Sequence, residues 1–159
     1  MLRELTVRNF ALIDSLHLTL EPGYTVLTGE TGAGKSIIVD ALGAAVGERV
    51  SSEVVRGHFD EALTEAVFDF SDAPGAAEIA TDAGFGDPDG TLILSREIAA
   101  EGGSVYRLDH RRSTLRLLSN ISQFLADIHG QHEHQQLIHD ENHLRYLDQC
   151  GGSEHRELF

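Results

Sequence analysis

Residues 24–38 read YTVLTGETGAGKSII. Gly29 to Ser36 fit the pattern G-x-x-x-x-G-K-S in full, and the flanks fit as well: a short apolar strand at 24–28 runs into the glycines, and a helix follows Lys35. Each position has a physical reason. Gly32 and Gly34 allow backbone angles that a side chain forbids. The loop made by Gly29, Glu30, Thr31, Gly32, Ala33 and Gly34 can then turn its N–H groups onto phosphate oxygens. The positive end of the helix, at Lys35, Ser36 and Ile37, faces the same place. Lys35 brings a mobile cation to the β- and γ-phosphates, and Ser36 offers a hydroxyl to Mg²⁺. The stretch therefore reads as a cradle for a nucleoside triphosphate and its metal, within an α/β P-loop NTPase.

Outward from that centre the apolar periodicity places the other elements. Ile37, Ile38, Ala41, Leu42, Ala45 and Val46 lie on one helical face, and Gly47 ends the helix. Upstream, residues 2–8 and 16–20 alternate as half-buried strands, with a bend at 9–14 between them and a turn at Glu21-Pro22-Gly23. Downstream, strands are expected at 62–70, 91–96 and 104–108, and a short helix at 74–83. Glu101-Gly102-Gly103 makes 91–108 a hairpin. Ser113 is the expected cap of a helix through Ala126, and Asp140 that of a last helix broken at Gly151-Gly152.

Composition narrows the function classes. The net charge is -14, and residues 51–110 carry thirteen acidic side chains against three basic ones. Such a chain has no general basic footprint for nucleic acid, so any DNA contact needs a local patch or another part of a larger assembly. No stretch approaches the roughly twenty apolar residues of a membrane span, so no membrane role is expected. The one cysteine, Cys150, cannot form an internal disulfide and suits a reducing cytoplasm.

A phosphate cradle does not by itself hydrolyse. Hydrolysis also needs a carboxylate near the metal, ordinarily at the end of a second apolar strand. No run of four apolar residues followed by Asp or Glu occurs after residue 36; Phe124-Leu125-Ala126-Asp127 comes nearest and reads as a helix end. The chain looks like half of a catalytic machine.

Three further stretches give that half a family. VRNFALID at 7–14, TGETGAGKSIIVDALGAAVGER at 28–49 and DIHGQHEHQQL at 127–137 resemble the N-terminal head lobe of the SMC-like branch of the ABC ATPases, in particular those of bacterial DNA repair. VGERVSSEVVRG at 46–57 is similar to the segment after their P-loop helix, and SVYRLD at 104–109 to their hairpin. Family members usually carry Asn-Gly after that strand; Asp109-His110 stand here, and the turn is expected to differ locally. Ala11 stands after Asn9-Phe10 where relatives often have a basic residue.

The resemblance implies a head lobe with a mixed sheet and an antiparallel β portion. It implies an N-terminal lobe over 1–139 and, over 140–159, the root of a coiled coil. The C-terminal lobe of the same protein would carry the missing carboxylate. ATP would join two heads into a homodimer, and hydrolysis would release them. DNA is the implied partner and double-strand break repair and recombination the implied role, in the cytoplasm on the nucleoid. Gln131 would ligate Mg²⁺ and sense the γ-phosphate as a catalytic residue beside Lys35, with Gln135 and Gln136 as rivals. Arg56 lies where SMC heads place an arginine near nucleotide or DNA; a solvated surface arginine is the other reading, and Arg49 is a weaker candidate.

Two clusters stay open. His129, His132, His134, His139 and His143 allow a zinc site or simple packing and hydrogen bonding. Arg111, Arg112 and Arg116 allow DNA-phosphate contact or a solvated helix start. Two other functions remain beside the ATPase half: a nucleotide-gated scaffold with incidental turnover, and a small self-contained P-loop kinase. The kinase predicts an arginine-rich lid and an acid–arginine substrate set, and neither stands out.

Overall fold

The computed structural model of the 159-residue chain describes residues 1–30, 34–86 and 90–128. They form one six-stranded sheet with helices α1 (Lys35–Val46), α2 (Pro74–Asp82) and α3 (Leu115–Ser122). The strands are β1 (Leu2–Phe10), β2 (Ile13–Thr19), β3 (Glu61–Asp69), β4 (Thr91–Ala99), β5 (Ser104–Leu108) and β6 (Arg111–Ser113), in the order β2-β1-β3-β4-β5-β6. Every ladder among the described residues is antiparallel.

Period-two alternation builds the core face. On β3, Ala62, Thr64, Ala66 and Phe68 point inward and are fully buried, while Leu63, Glu65 and Val67 are half-buried on the opposite face. Leu92, Leu94, Arg96 and Ile98 of β4 take the same inward rows. α1 crosses β3 and β4 with Ala41, Ala44 and Ala45, whose small side chains let helix and sheet approach closely. Phe10 is buried although strict alternation from Val7 would send it outward. Asn9, at φ 54, breaks the pleat just before it and turns its ring into the core.

Thr64 raises a point of stability. Its side chain is fully buried, and its hydroxyl has no hydrogen-bond partner among the described residues. A buried hydroxyl left unpaired costs roughly 1–3 kcal/mol. Thr64→Val is therefore expected to raise stability by about 1 kcal/mol, read as a higher urea midpoint at unchanged slope. A lower midpoint would mean that the hydroxyl is satisfied.

Several expected elements differ. The bend at 9–14 shrinks to Ala11-Leu12, because β2 begins at Ile13 and pairs with Phe10. After β5 the chain turns through Asp109 (φ 46) and His110 (φ 62) and adds β6 before any helix. Both residues take the positive φ that a two-residue hairpin requires, so Asp-His reproduces the geometry of Asn-Gly. The Asp109 carboxylate accepts the N–H groups of Gly86 (2.7 Å) and Ile93 (3.0 Å) and ties the turn to its surroundings. With Ser113 absorbed into β6, the cap of α3 is Thr114, whose hydroxyl accepts the Leu117 N–H at 3.2 Å. α3 stops at Ser122, short of Ala126, and residues 123–125 continue as turns.

The strand expected at 24–28 has no ladder partner among the described residues, and Tyr24 (92%), Val26 (59%) and Leu27 (44%) are exposed. The mixed sheet is thus represented here by its antiparallel portion. An isolated strand cannot satisfy its own N–H and C=O groups, and this segment finds no neighbour in the antiparallel sheet.

Candidate nucleotide-binding site

The site lies where the 24–30 segment meets α1. Gly34 is the N-cap at φ 92, a conformation that favours glycine and aims the chain into the helix. Among the described residues no side chain caps α1, and no acid sits in its first turn. Its leading amides and the positive end of its dipole are therefore left to a ligand, and the arrangement suits an anion. Lys35 is half-buried, and its ammonium donates to the carbonyls of Gly29 and of Glu30, the latter at 2.7 Å. Ser36 is exposed at the same helix end, and Ile37 packs its side chain on the core. Gly29, Glu30, Gly34, Lys35, Ser36 and Ile37 are thus brought together. Thr31, Gly32 and Ala33 lie outside the described residues, as do Gln131, Gln135, Gln136, the histidine cluster at 129–143, Cys150 and the helix expected from Asp140.

The donor set fits a triphosphate with its metal. Amides and an ammonium suit phosphate oxygens, and a hydroxyl beside them suits a hard cation. Among the described residues no group of three or more His, Cys, Asp or Glu could hold a metal ion by itself. A cation here would depend on the phosphates as well as on Ser36.

Arg56 is tied to the β1–β2 hairpin. Residues 54–56 run beside the β1–β2 hairpin, with Ala11 N–H on Val54 O (2.6 Å) and Arg56 N–H on Asn9 O (2.8 Å). The Arg56 guanidinium pairs with Asp14 at 2.9 Å and keeps partial exposure. A phosphate approaching Arg56 would compete with that carboxylate. In the arginine cluster, Arg111 donates to Gly84 O and lies 4.1 Å over the Phe85 ring, and Arg111, Arg112 and Arg116 are all exposed.

Sequence reasoning missed Arg96 and Ser122, which hold the far end of α1. Arg96 Nη1 donates to Glu48 O (2.6 Å), Nε donates to Ser104 Oγ (3.0 Å), and the guanidinium lies 5.0 Å from the Tyr106 ring centroid. Burial lowers its pKa from the ordinary arginine value, with Tyr106 opposing. The signal was available: carrying the Leu92, Leu94 alternation on by one step puts Arg96 inward.

The AAA domain family matches residues 4–158. The chain belongs to that family. Within it, the chain is 43% identical to the DNA repair protein RecN of Halalkalibacterium halodurans across all of its own length and 29% of that protein's. It is 44% identical to RecN of Bacillus subtilis over 97% of its length and 27% of that protein's. The chain spans under a third of these curated relatives. A solved structure described under ATP-driven dimerization and DNA stimulated activation of SMC ATPases superposes with TM-score 0.61 at 22% identity, covering 77% of both chains. The fold of this AAA-family chain is therefore that of an SMC-type head lobe, as the motifs implied. No helix among the described residues is long and apolar enough to cross a membrane.

Proposed function

We propose that this chain is the ATP-binding half of an SMC-like ATPase head that serves DNA double-strand break repair and recombination. The observation that carries the proposal is the start of α1: uncapped, free of acids, and joined by the Lys35 ammonium at the end of a Gly29–Ser36 cradle. The similarity to the RecN proteins and to an SMC ATPase head supports the role. Gly29 to Ile37 hold the triphosphate. Ser36 and Gln131 would hold Mg²⁺, which would supply positive charge against the phosphates. Lys35 and Gln131 are the catalytic residues on this lobe, and Arg56 is a further phosphate contact once freed from Asp14.

The hydrolytic carboxylate comes from a C-terminal lobe of the same protein. The exposed Tyr24, Val26 and Leu27 beside the cradle are the surface that lobe covers, adding the strand neighbour that 24–28 lacks. A second head completes each site, so that ATP joins a homodimer; DNA is the partner, and residues 140–159 begin the coiled coil. The place of work is the nucleoid, in the cytoplasm.

The test is calorimetry and phosphate release on this chain with ATP and Mg²⁺, then on the complete protein. Binding without turnover by the chain, and turnover by the complete protein, is expected. Turnover by the chain alone, lost in Lys35→Ala, would replace the half-head with a self-contained NTPase.

A further inference from the structure

Two buried polar side chains grip the back of the helix whose front forms the cradle. α1 ends at Val46, and Gly47 reverses the chain at φ 103, with Glu48 N–H returning to Gly43 O at 2.9 Å. The carbonyls of Val46 and Glu48 are then taken from two directions. Ser122 of α3, 6% exposed, donates its hydroxyl proton to Val46 O at 2.8 Å, with Ser119 O farther off at 3.2 Å. Arg96 of β4, 5% exposed, donates to Glu48 O at 2.6 Å.

The alanines of the contact surface fix position less sharply. Ala41, Ala44 and Ala45 bury α1 on the sheet through methyl groups. Apolar burial has no direction, so a smooth alanine face leaves a helix free to slide or rotate by a fraction of an ångström at little cost. Hydrogen bonds weaken steeply with distance and angle. Two of them, from separate elements, set both the rotation and the axial position of a rigid rod about 18 Å long. Arg96 also places a cation at the negative end of the dipole whose positive end meets the phosphates.

We propose that Arg96 and Ser122 are positioning residues of the nucleotide site: they set the register of α1 against the sheet and α3, and through it the placement of Lys35 and Ser36 relative to the rest of the head. The inference rests on the nucleotide reading above. Bound phosphates travel with the amides of α1, so loosening its back end leaves binding nearly intact. Turnover depends on alignment with groups outside α1, where a misplacement of about 1 Å costs up to ~100-fold.

The experiment uses the complete protein and compares Ser122→Ala, Arg96→Lys, Ile121→Val and Lys35→Ala by ATP affinity, kcat and Tm. Ile121, fully buried next to Ser122, loses one methyl and keeps both grips. Ser122→Ala and Arg96→Lys are each expected to lower kcat about 10-fold with ATP affinity changed less than about 3-fold, while Ile121→Val lowers Tm and leaves kcat unchanged. Unchanged kcat in both Ser122→Ala and Arg96→Lys would overturn the proposal, as would an equal fall in Ile121→Val. Should Lys35→Ala retain wild-type ATP affinity, the nucleotide reading itself fails, whatever the other variants do.

Discussion

Lys35→Ala is expected to lower ATP affinity by about 100-fold or more and to leave the fold as stable as before. The ammonium holds two loop carbonyls, those of Gly29 and Glu30; on the proposed reading it would exchange them for β- and γ-phosphate oxygens of a bound triphosphate. Each charge-assisted hydrogen bond to phosphate contributes about 1.5–3 kcal/mol, and 1.4 kcal/mol is tenfold, so two of them account for the loss. The bonds given up in the free chain are solvent-exposed, and surface substitutions of that kind stay within about 0.5 kcal/mol. Calorimetric titration with ATP and Mg²⁺, beside thermal melting, reads both halves. Affinity within threefold of wild type would remove the cradle assignment.

The largest effect on stability is expected at Gly47. Its φ of 103 lies where a side chain is strained, and a Cβ there would sit 2.9 Å from both Leu118 Cδ2 and Ser119 Oγ and 3.2 Å from Leu115 Cδ1. The left-handed backbone costs roughly 1–2 kcal/mol for a non-glycine residue, and overpacking roughly 1–3 kcal/mol. Gly47→Ala is therefore expected to destabilise the chain by about 3 kcal/mol, a large share of the ~5–15 kcal/mol that holds a domain folded. Urea unfolding measures it. A change below about 1 kcal/mol would show that α3 gives way, and that α1 and α3 are not locked at this point.

Much of this architecture was legible in residue order because its causes are local. The helix after Lys35, its end at Gly47, the strands near 62–70 and 91–96 and the glycine hairpin before 104 follow from period and turn chemistry, and the structure has them all. The differences arose from causes outside the local apolar pattern. Ser113 looked like a cap because nothing next to it shows that Tyr106 pairs with it across a turn at Asp109-His110. Phe10 looked like part of a bend because a positive φ at Asn9 leaves no mark in the alternation. The ion pair of Arg56 with Asp14 left no mark either, because the two lie forty-two positions apart.

By itself the sequence determined that a helix starts at Lys35 behind a glycine N-cap, and it supplied the reason to propose a phosphate cradle at 29–37, since a loop's backbone freedom and a helix's dipole depend only on neighbouring residues. It also determined that the hydrolytic carboxylate does not follow in the usual strand-end position, since that position can be searched for directly. The tertiary structure alone decided how α1 is held. Val46 and Glu48 meet Ser122 and Arg96 across separations of 76 and 48 residues. Hydrogen bonds of that reach depend on how the sheet and two helices come together in space, and no local pattern encodes them.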